Sequence, residues 1–544
     1  METAKYVFRV LCSAATLAFA INVEAATCWV DLGANRQTID GFGFSSAWCG
    51  QLSSAKNNAL YSTLGFSLLR IRIDPNRNWT DERVNAQNAH AAGAKVLGTP
   101  WTPPANMKDN NNLVHGSLLA SQFGNYALHL RDAANTIGLD WVSIQNEPDW
   151  NPDYEGCVWT PSQLQTFARN NAPTIGKPVV MPECVGFRDD YSDPTLNDST
   201  AANNISIVAG HFYGNGNYVH QNAINKGKRV WQTEHYLTGG QSDMNVCMQL
   251  AREVTDAMNN QFNAYFWWWV NDSQTDGTCL VNSSGAIIKP GYILGQFAKW
   301  VRPGGTRIAA DYNPSSGIYV TGYKVNNNLV IVAINTSTVS VNQQFNIANG
   351  SVSSVTPYRT SSSQNMAQLG NIALSGNSFT TSLPGQSVTT FVQAGGGGGG
   401  PIANGTYKII ARHSGKAMDA FGANTTNGTQ IIQWTYNGGN NQRWTVTDRG
   451  GGQYSIVGVQ SGRCIDISNW GTANGTKVQL WDYVGGTNQK FTITPTSGGY
   501  YRITPTHATG SCLDVSGIST ADGANVQLWQ WLSGNNQQWA FQAP

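Results

Sequence analysis

Six consecutive glycines, Gly395–Gly400, closed by Pro401, constrain this chain more than any other feature. They carry no side chains, so nothing in them can join a core. The run is a flexible tether whose mean reach is on the order of 15 Å. Residues 402–544 must therefore fold without help from what precedes them. At 544 residues the whole is also too long for a single core, and two to four domains are expected.

The piece beyond the tether repeats itself three times. Asp419, Asp466 and Asp514 lie 47 and 48 residues apart, and Trp434, Trp481 and Trp529 each follow by 15. Asn441-Gln442, Asn488-Gln489 and Asn536-Gln537 come next, and Trp444, Phe491 and Trp539 close the units. Units of this length, rich in strand formers, predict a threefold all-β domain. An acid, an amide and an aromatic face at three equivalent places suit a sugar's hydroxyls and its C–H side. A purely structural role accounts for the Gln residues and the closing aromatics, but not for the recurring Asp.

Before the tether, apolar strands alternate with helical patterns. The strands expected are Ser67–Ile73, Lys95–Thr99, Trp141–Gln145, Pro178–Pro182, Ile205–Ala209, Arg229–Gln232 and Asn263–Trp269; Asp132–Thr136, Pro161–Asn170, Asn222–Lys226 and Asn245–Asn259 look helical. Continuous rather than alternating apolar strands argue a parallel sheet covered on both faces. Without a Gly-rich phosphate turn after the first strand, a closed (β/α)8 barrel over residues 41–305 is preferred to an open doubly wound sheet. Asp40-Gly41-Phe42-Gly43 reads as a turn. From about residue 306 to 394 the period falls to two, which predicts a small side β-sandwich. Residues 26–40 hold a lone strand expected to pair with it.

Two of the barrel strands end in glutamate. Trp141–Gln145 runs into Asn146-Glu147-Pro148, and Arg229–Gln232 into Thr233-Glu234-His235. Parallel barrels place their chemistry at the carboxyl ends of strands, and two such acids can face one another across the mouth. A capping or loop glutamate explains Asn-Glu-Pro alone equally well; the second acid favours chemistry. Asp74 and Glu183 are also strand-terminal. Asp74 precedes Pro75-Asn76 and reads as a turn or cap, while Glu183, beside Cys184, reads as structural.

Charge excludes some partners. Thirty-three basic residues against 32 acidic give a net charge of +1, with no basic stripe for nucleic acid or anionic lipid. Nineteen Trp amid abundant Gly and Asn suit an uncharged hydroxylated ligand. Lys5 and Arg9, the apolar run Val10–Ala20 and small residues near Ala25 or Ala26 read as a signal peptide over residues 1–25, hence a secreted protein. No apolar run is long enough to span a bilayer. Removing Cys12 leaves eight cysteines, an even count that permits disulfides, and their scatter does not suit zinc. A monomer without metal or organic cofactor is expected.

The Asp, Gln-x-Trp, Asn-Gln-x-Trp repeat resembles the ricin-B-type β-trefoil, carbohydrate-binding module family 13, over residues 402–544. The first unit has Ile432 where the others have Gln479 and Gln527. Cys464 and Cys512 are kept, but Tyr483 and Trp531 stand where their partners belong, so disulfides within repeats are not expected. Upstream, Gln37–Gly43, Pro100–Pro104 with Met107-Lys108, Gln145–Pro148, His211–Gly214, Thr233–Tyr236, Trp267–Trp269 and Phe297–Pro303 resemble glycoside hydrolase family 30, in its bacterial xylanase branch. The resemblance implies a retaining xylanase with Glu147 as acid/base and Glu234 as nucleophile. It also implies Asn146 on substrate hydroxyls, Tyr213 near Glu234, and Trp48, Trp101, Tyr236 and Trp268 lining the sugar subsites. His211, His235 and Lys108 are then hydrogen-bond partners. Glucuronoxylanases of this branch grip the uronic acid with an arginine after the eighth-strand aromatics. Here that stretch reads Asn271-Asp272-Ser273-Gln274, so weak dependence on glucuronate is expected. An end-wise xylobiohydrolase or another β-glycosidase of the family is the alternative enzyme. A xylan-binding, lectin-like protein with an inert barrel is the alternative of another class.

Overall fold

The computed structural model describes residues 26–240, 242–270, 279–393, 402, 405–449, 452–496 and 499–544. The signal-peptide reading, the glycine tether and Asp272 lie outside these residues. Eight parallel strands close into a barrel: β2 (Gly41–Ser45), β3 (Leu68–Arg72), β4 (Lys95–Thr99), β5 (Trp141–Ser143), β6 (Val179–Cys184), β7 (Ile207–His211), β8 (Arg229–Glu234) and β9 (Ala264–Trp267). The last strand pairs with the first, Gly41 opposite Ala264. Seven of these follow the expected runs.

The eighth, β2, is the stretch expected to be a turn. Its glycines face the barrel interior rather than bend the chain: a Cβ on Gly43 would stand 2.4 Å from the Phe266 ring, and one on Gly41 2.2 Å from the Ser67 hydroxyl. Phe42 and Phe44 point outward and are fully buried. Inside, Leu68, Leu97, Val180, Ile207, Trp231 and Phe266 fill the barrel as a packed core.

The helices Thr80–Ala91, Asp189–Asn197 and Lys289–Ala298 were not legible as amphipathic stripes. The first is short of large apolar residues and the second carries Pro194 inside. The third buries Ile293, Leu294, Gln296 and Phe297 alike, leaving little polar face to mark it. Phe123–Ile137 is longer than expected and ends on Gly138 in the left-handed conformation.

The lone strand β1 (Ala26–Thr38) does join the side sheet. It runs antiparallel to Thr306–Ala310 and parallel to Val341–Ala348, inside a continuous sheet rather than at its edge. That sheet curls over its own core. Phe345 and Phe391, on strands far apart in the sheet order, meet with ring centroids 5.3 Å apart. Its other face, with Val330, Val332, Val388 and Val392, shares one apolar cluster with the barrel helices.

Residues 405–544 form a separate antiparallel sheet in three equivalent parts around one core. Gln430 Nε2 lies 2.7, 3.2 and 2.9 Å from the carbonyls of Ile431, Val478 and Val526, one from each repeat. The closing aromatics Trp444, Phe491 and Trp539 are core, as the structural reading of them held. Cys28, Cys157, Cys184, Cys247, Cys464 and Cys512 are buried thiols, so the disulfides that an even count permits do not form at these positions. Burial pushes the Cys28, Cys157 and Cys464 thiols up to about 12, far from reactive thiolate.

Candidate active site

Glu147 follows β5 and Glu234 ends β8, and barrel closure turns both to one mouth. Glu147 has a left-handed backbone (φ 46°), and so does Glu183 (φ 57°). The two are joined by a hydrogen bond from the Glu147 N–H to the Glu183 carbonyl, 3.0 Å. A side chain held in a disfavoured conformation by its surroundings is aimed rather than left free.

The centre of the site is Arg70, a residue that sequence reasoning missed. It sits in the apolar run Leu68-Leu69-Arg70-Ile71 and is fully buried. Its Nη1 donates to Glu234 Oε2 at 2.6 Å, its Nη2 to Asn146 Oδ1 at 2.7 Å, and its Nε to Glu183 Oε1 at 3.1 Å. An arginine interrupting a strand with no polar face was the signal, since an unpaired buried guanidinium is prohibitive. Glu183 is thus structural, as expected, although its partners are Arg70 and Thr99 rather than any disulfide. Asp74 accepts from the Asn76 and Asn78 backbones and from Arg72, which is the turn role expected of it.

Burial by itself would discharge Arg70, but the Glu183 and Glu234 carboxylates outweigh it and raise its proton affinity. Burial works against the Glu183 charge too, yet Arg70 and His211 hold that carboxyl below the usual range. For Glu234 burial prevails: despite His211 and Arg70, its carboxyl is raised, and the neighbouring Glu147 pushes the same way. Tyr213 donates to Glu234 Oε1 at 3.0 Å. Burial and the two carboxylates lift its phenol well above its ordinary range, so it remains a donor. Glu147 has its own partners, His211 Nδ1 at 3.1 Å and the Tyr154 hydroxyl at 3.2 Å.

Carboxylate oxygens of Glu147 and Glu234 and a ring nitrogen of His211 lie within 4.8 Å of one another. This is the one trio with metal-like spacing among the described residues, and the Arg70 guanidinium already supplies positive charge there. His235 pairs with Glu253 at 2.7 Å, and Lys108 fastens Thr102 and the Gly156 carbonyl, so both act as hydrogen-bond partners.

Around the pair opens a cleft of about 540 Å³ lined by Trp48, Trp101, Tyr213, Tyr236 and Trp268, with Trp150 and Tyr154 beside them. Trp48 and Trp101 meet edge to face at 4.9 Å, and Trp101 and Trp268 at 5.8 Å. Trp150 and Tyr154, both about half exposed, were not singled out from sequence; they ride the loop after Pro148. The Asn146 amide oxygen is taken by Arg70, so its NH2 is the end left for a substrate hydroxyl.

In the trefoil the three sets come together as pairs. Asn441, Asn488 and Asn536 donate to Asp419, Asp466 and Asp514 at 2.9, 2.8 and 2.7 Å. The three Asp are buried, Trp434 and Trp481 are exposed and Trp529 is half-buried.

A parallel barrel whose mouth holds two facing carboxyl groups among aromatic walls, with a lectin-like trefoil behind it, defines a glycoside hydrolase. Over 397 residues the chain is 38% identical to the glucuronoxylanase XynC of Bacillus subtilis strain 168, covering 68% of this chain and 92% of that protein. Among solved structures, the family 30 subfamily 8 xylanase Xyn30A of Clostridium acetobutylicum is 42% identical (TM-score 0.65) and the family 30 endoxylanase of Clostridium papyrosolvens C71 is 40% identical (TM-score 0.63). The matches cover 68% of this chain and 99% of each. Residues 391–481 match the ricin-type β-trefoil lectin domain-like model and 452–544 the ricin-type β-trefoil lectin domain model. The chain belongs to glycoside hydrolase family 30.

Proposed function

We propose that the chain is an exported, retaining endo-1,4-β-xylanase, with Glu234 as nucleophile and Glu147 as acid/base, that depends weakly on glucuronic acid branches. The carrying observation is that one carboxylate oxygen of Glu147 lies within 4.8 Å of one of Glu234. Retention needs about 5–5.5 Å, whereas an inverting enzyme leaves about 6.5–9.5 Å for water.

The donors sort the roles. Two buried carboxyl groups this close share one proton. Glu234 faces Arg70 and Tyr213, which favour its ionised form. A Glu234 oxygen attacks the anomeric carbon, the bond to the leaving oxygen breaks, and the Glu147 proton goes to that oxygen. Glycosylation cancels the Glu234 charge, so Glu147 can then take a proton from water. The oxygen of that water displaces Glu234, and the anomer is restored.

The relatives named as glucuronoxylanase, xylanase and endoxylanase support xylan as substrate and internal cleavage. Weak glucuronate dependence is supported by the absence of Arg between Arg252 and Arg302 and by a cleft without Lys or Arg among its described lining residues. Export is supported by the pattern of residues 1–25; among the described residues no helix is long and apolar enough to cross a membrane. The trefoil is read as a xylan-binding module. Product analysis on glucuronoxylan, arabinoxylan and linear xylan tests this reading. A ladder of oligomers from all three with the anomer preserved is expected. One disaccharide would mean end-wise attack, strict cutting beside uronic acids would remove the branch independence, and an inverted anomer would end the mechanism.

A further inference from the structure

The three trefoil sites share one backbone plan, which makes the repeats controls for one another. Four residues after each Asp stand Ala423, Trp470 and Ile518, all left-handed, at φ 53°, 56° and 53°. Only the side chain differs. At the middle site it is an indole that stays 52% exposed.

That indole is placed over the middle site's own amide. A Cβ built on Gly486 would meet Trp470 at 2.9 Å and Asn488 Oδ1 at 2.5 Å, so ring and amide oxygen converge on one point. The equivalent points at Gly439 and Gly534 meet Asn441 and Asn536 Oδ1 with no aromatic beside them. Asn488 Oδ1 is buried without a hydrogen-bond partner, although the amide nitrogen donates to Asp466. An acceptor left unsatisfied in a native fold calls for a donor from elsewhere, and a sugar hydroxyl is one.

The following repeat braces this wall. The His507 ring meets Trp470 edge to face at 6.0 Å, and its Nε2 lies 3.1 Å from the Gly471 carbonyl. At the third site His413 makes the matching contact to the Ser519 carbonyl, but beneath Ile518; at the first Gln460 reaches the Ala423 carbonyl.

We infer that the middle site, around Asp466, Asn488 and Trp481, is the trefoil's principal site for a β-1,4-linked xylan chain, and that Trp470 is its affinity-determining second aromatic surface. The inference rests on reading the trefoil as a xylan-binding module. Trp470 offers a flat apolar face to one xylose ring while Trp481, 41% exposed, offers another. Ala423 has no such face and Ile518 only a small, ridged one.

The test uses the full chain carrying Glu234→Gln, so that xylan is bound without being consumed, and measures partition onto insoluble xylan. Trp470→Ala is expected to weaken binding about fivefold, the effect of losing one aromatic contact, with Trp470→Tyr restoring most of it. Ala423→Trp or Ile518→Trp should strengthen binding, while Ile518→Ala should leave it unchanged. Trp470 is exposed, so its loss leaves the trefoil core intact; an unchanged melting profile checks this. Equal partition of Trp470→Ala and parent would overturn the inference, provided the triple variant Trp434→Ala, Trp481→Ala, Trp529→Ala still loses binding. If that triple variant also binds like the parent, the xylan-binding reading of the trefoil itself fails.

Discussion

Single buried residues set the chemistry of the barrel mouth. Glu234→Gln is expected to lose several orders of magnitude in rate. Because burial raises its carboxyl, the ionised form is disfavoured by the fold, a cost that is absent below the ordinary value of 4.5 and grows as pH rises through the raised one. The variant should therefore melt no lower than the parent at neutral pH, a thermal-shift measurement. Glu183→Gln should behave in the opposite way. It leaves Arg70 without its deepest counter-charge, and breaking such a pair costs about 3–5 kcal/mol. The surviving fraction should show an acid limb of kcat/KM moved to lower pH, because an unopposed Arg70 favours the Glu234 anion more strongly. Glu82 offers a third reading. Burial outweighs its bonds to Ser46, Asn85 and the Arg72 N–H, and pushes its carboxyl up to about 7. Its stability contribution is complete below about pH 4.5 and is lost as pH rises through 7, so Glu82→Gln should gain a few degrees over the parent at pH 8 and nothing at pH 4. Glu147 and Glu234 were legible in sequence because each ended an apolar strand. Arg70 was not, because its meaning lies in Glu183, Glu234 and Asn146, which only barrel closure brings to it.

Elements were legible where their periodicity was intact. Lys95–Thr99 and Pro161–Asn170 fall where the residues predict. Gly41–Ser45 failed because glycine marks a turn and a crowded interior with the same letter, and Phe266 is the neighbour that distinguishes them. Gly43→Ala should consequently disrupt the barrel and leave little soluble protein, although no turn is touched. The trefoil departs from its family in how its loops are fastened. Arg449 lies 4.7 Å over the Tyr483 ring, Arg502 5.0 Å over Trp531, and Lys408 4.7 Å over Tyr436, so a cation over an aromatic stands at each equivalent place. Two of these aromatics occupy positions where the family has cysteine. Each contact contributes roughly 0.5–1 kcal/mol. Arg449→Ala with Arg502→Ala should lower the trefoil transition by several degrees, whereas adding a reductant to the parent should leave it in place.

At the scale of the whole molecule, a family 30 hydrolase and a ricin-type trefoil share one chain, with six glycines between them in sequence. Binding by the trefoil raises the local concentration of substrate at the barrel only where xylan presents many sites at once. Removing residues 402–544 should therefore slow hydrolysis of insoluble xylan while leaving short soluble oligomers unaffected, and comparing the two rates checks it. The position of β1 carries a different consequence. This strand holds Val30 against Ala310 on one side and against Ile347 on the other. In synthesis it is made before both neighbours, which follow hundreds of residues later. It must wait, unpaired, until the last barrel strand and helix have been made. Side-sheet closure is thus deferred until the barrel that it packs against is complete.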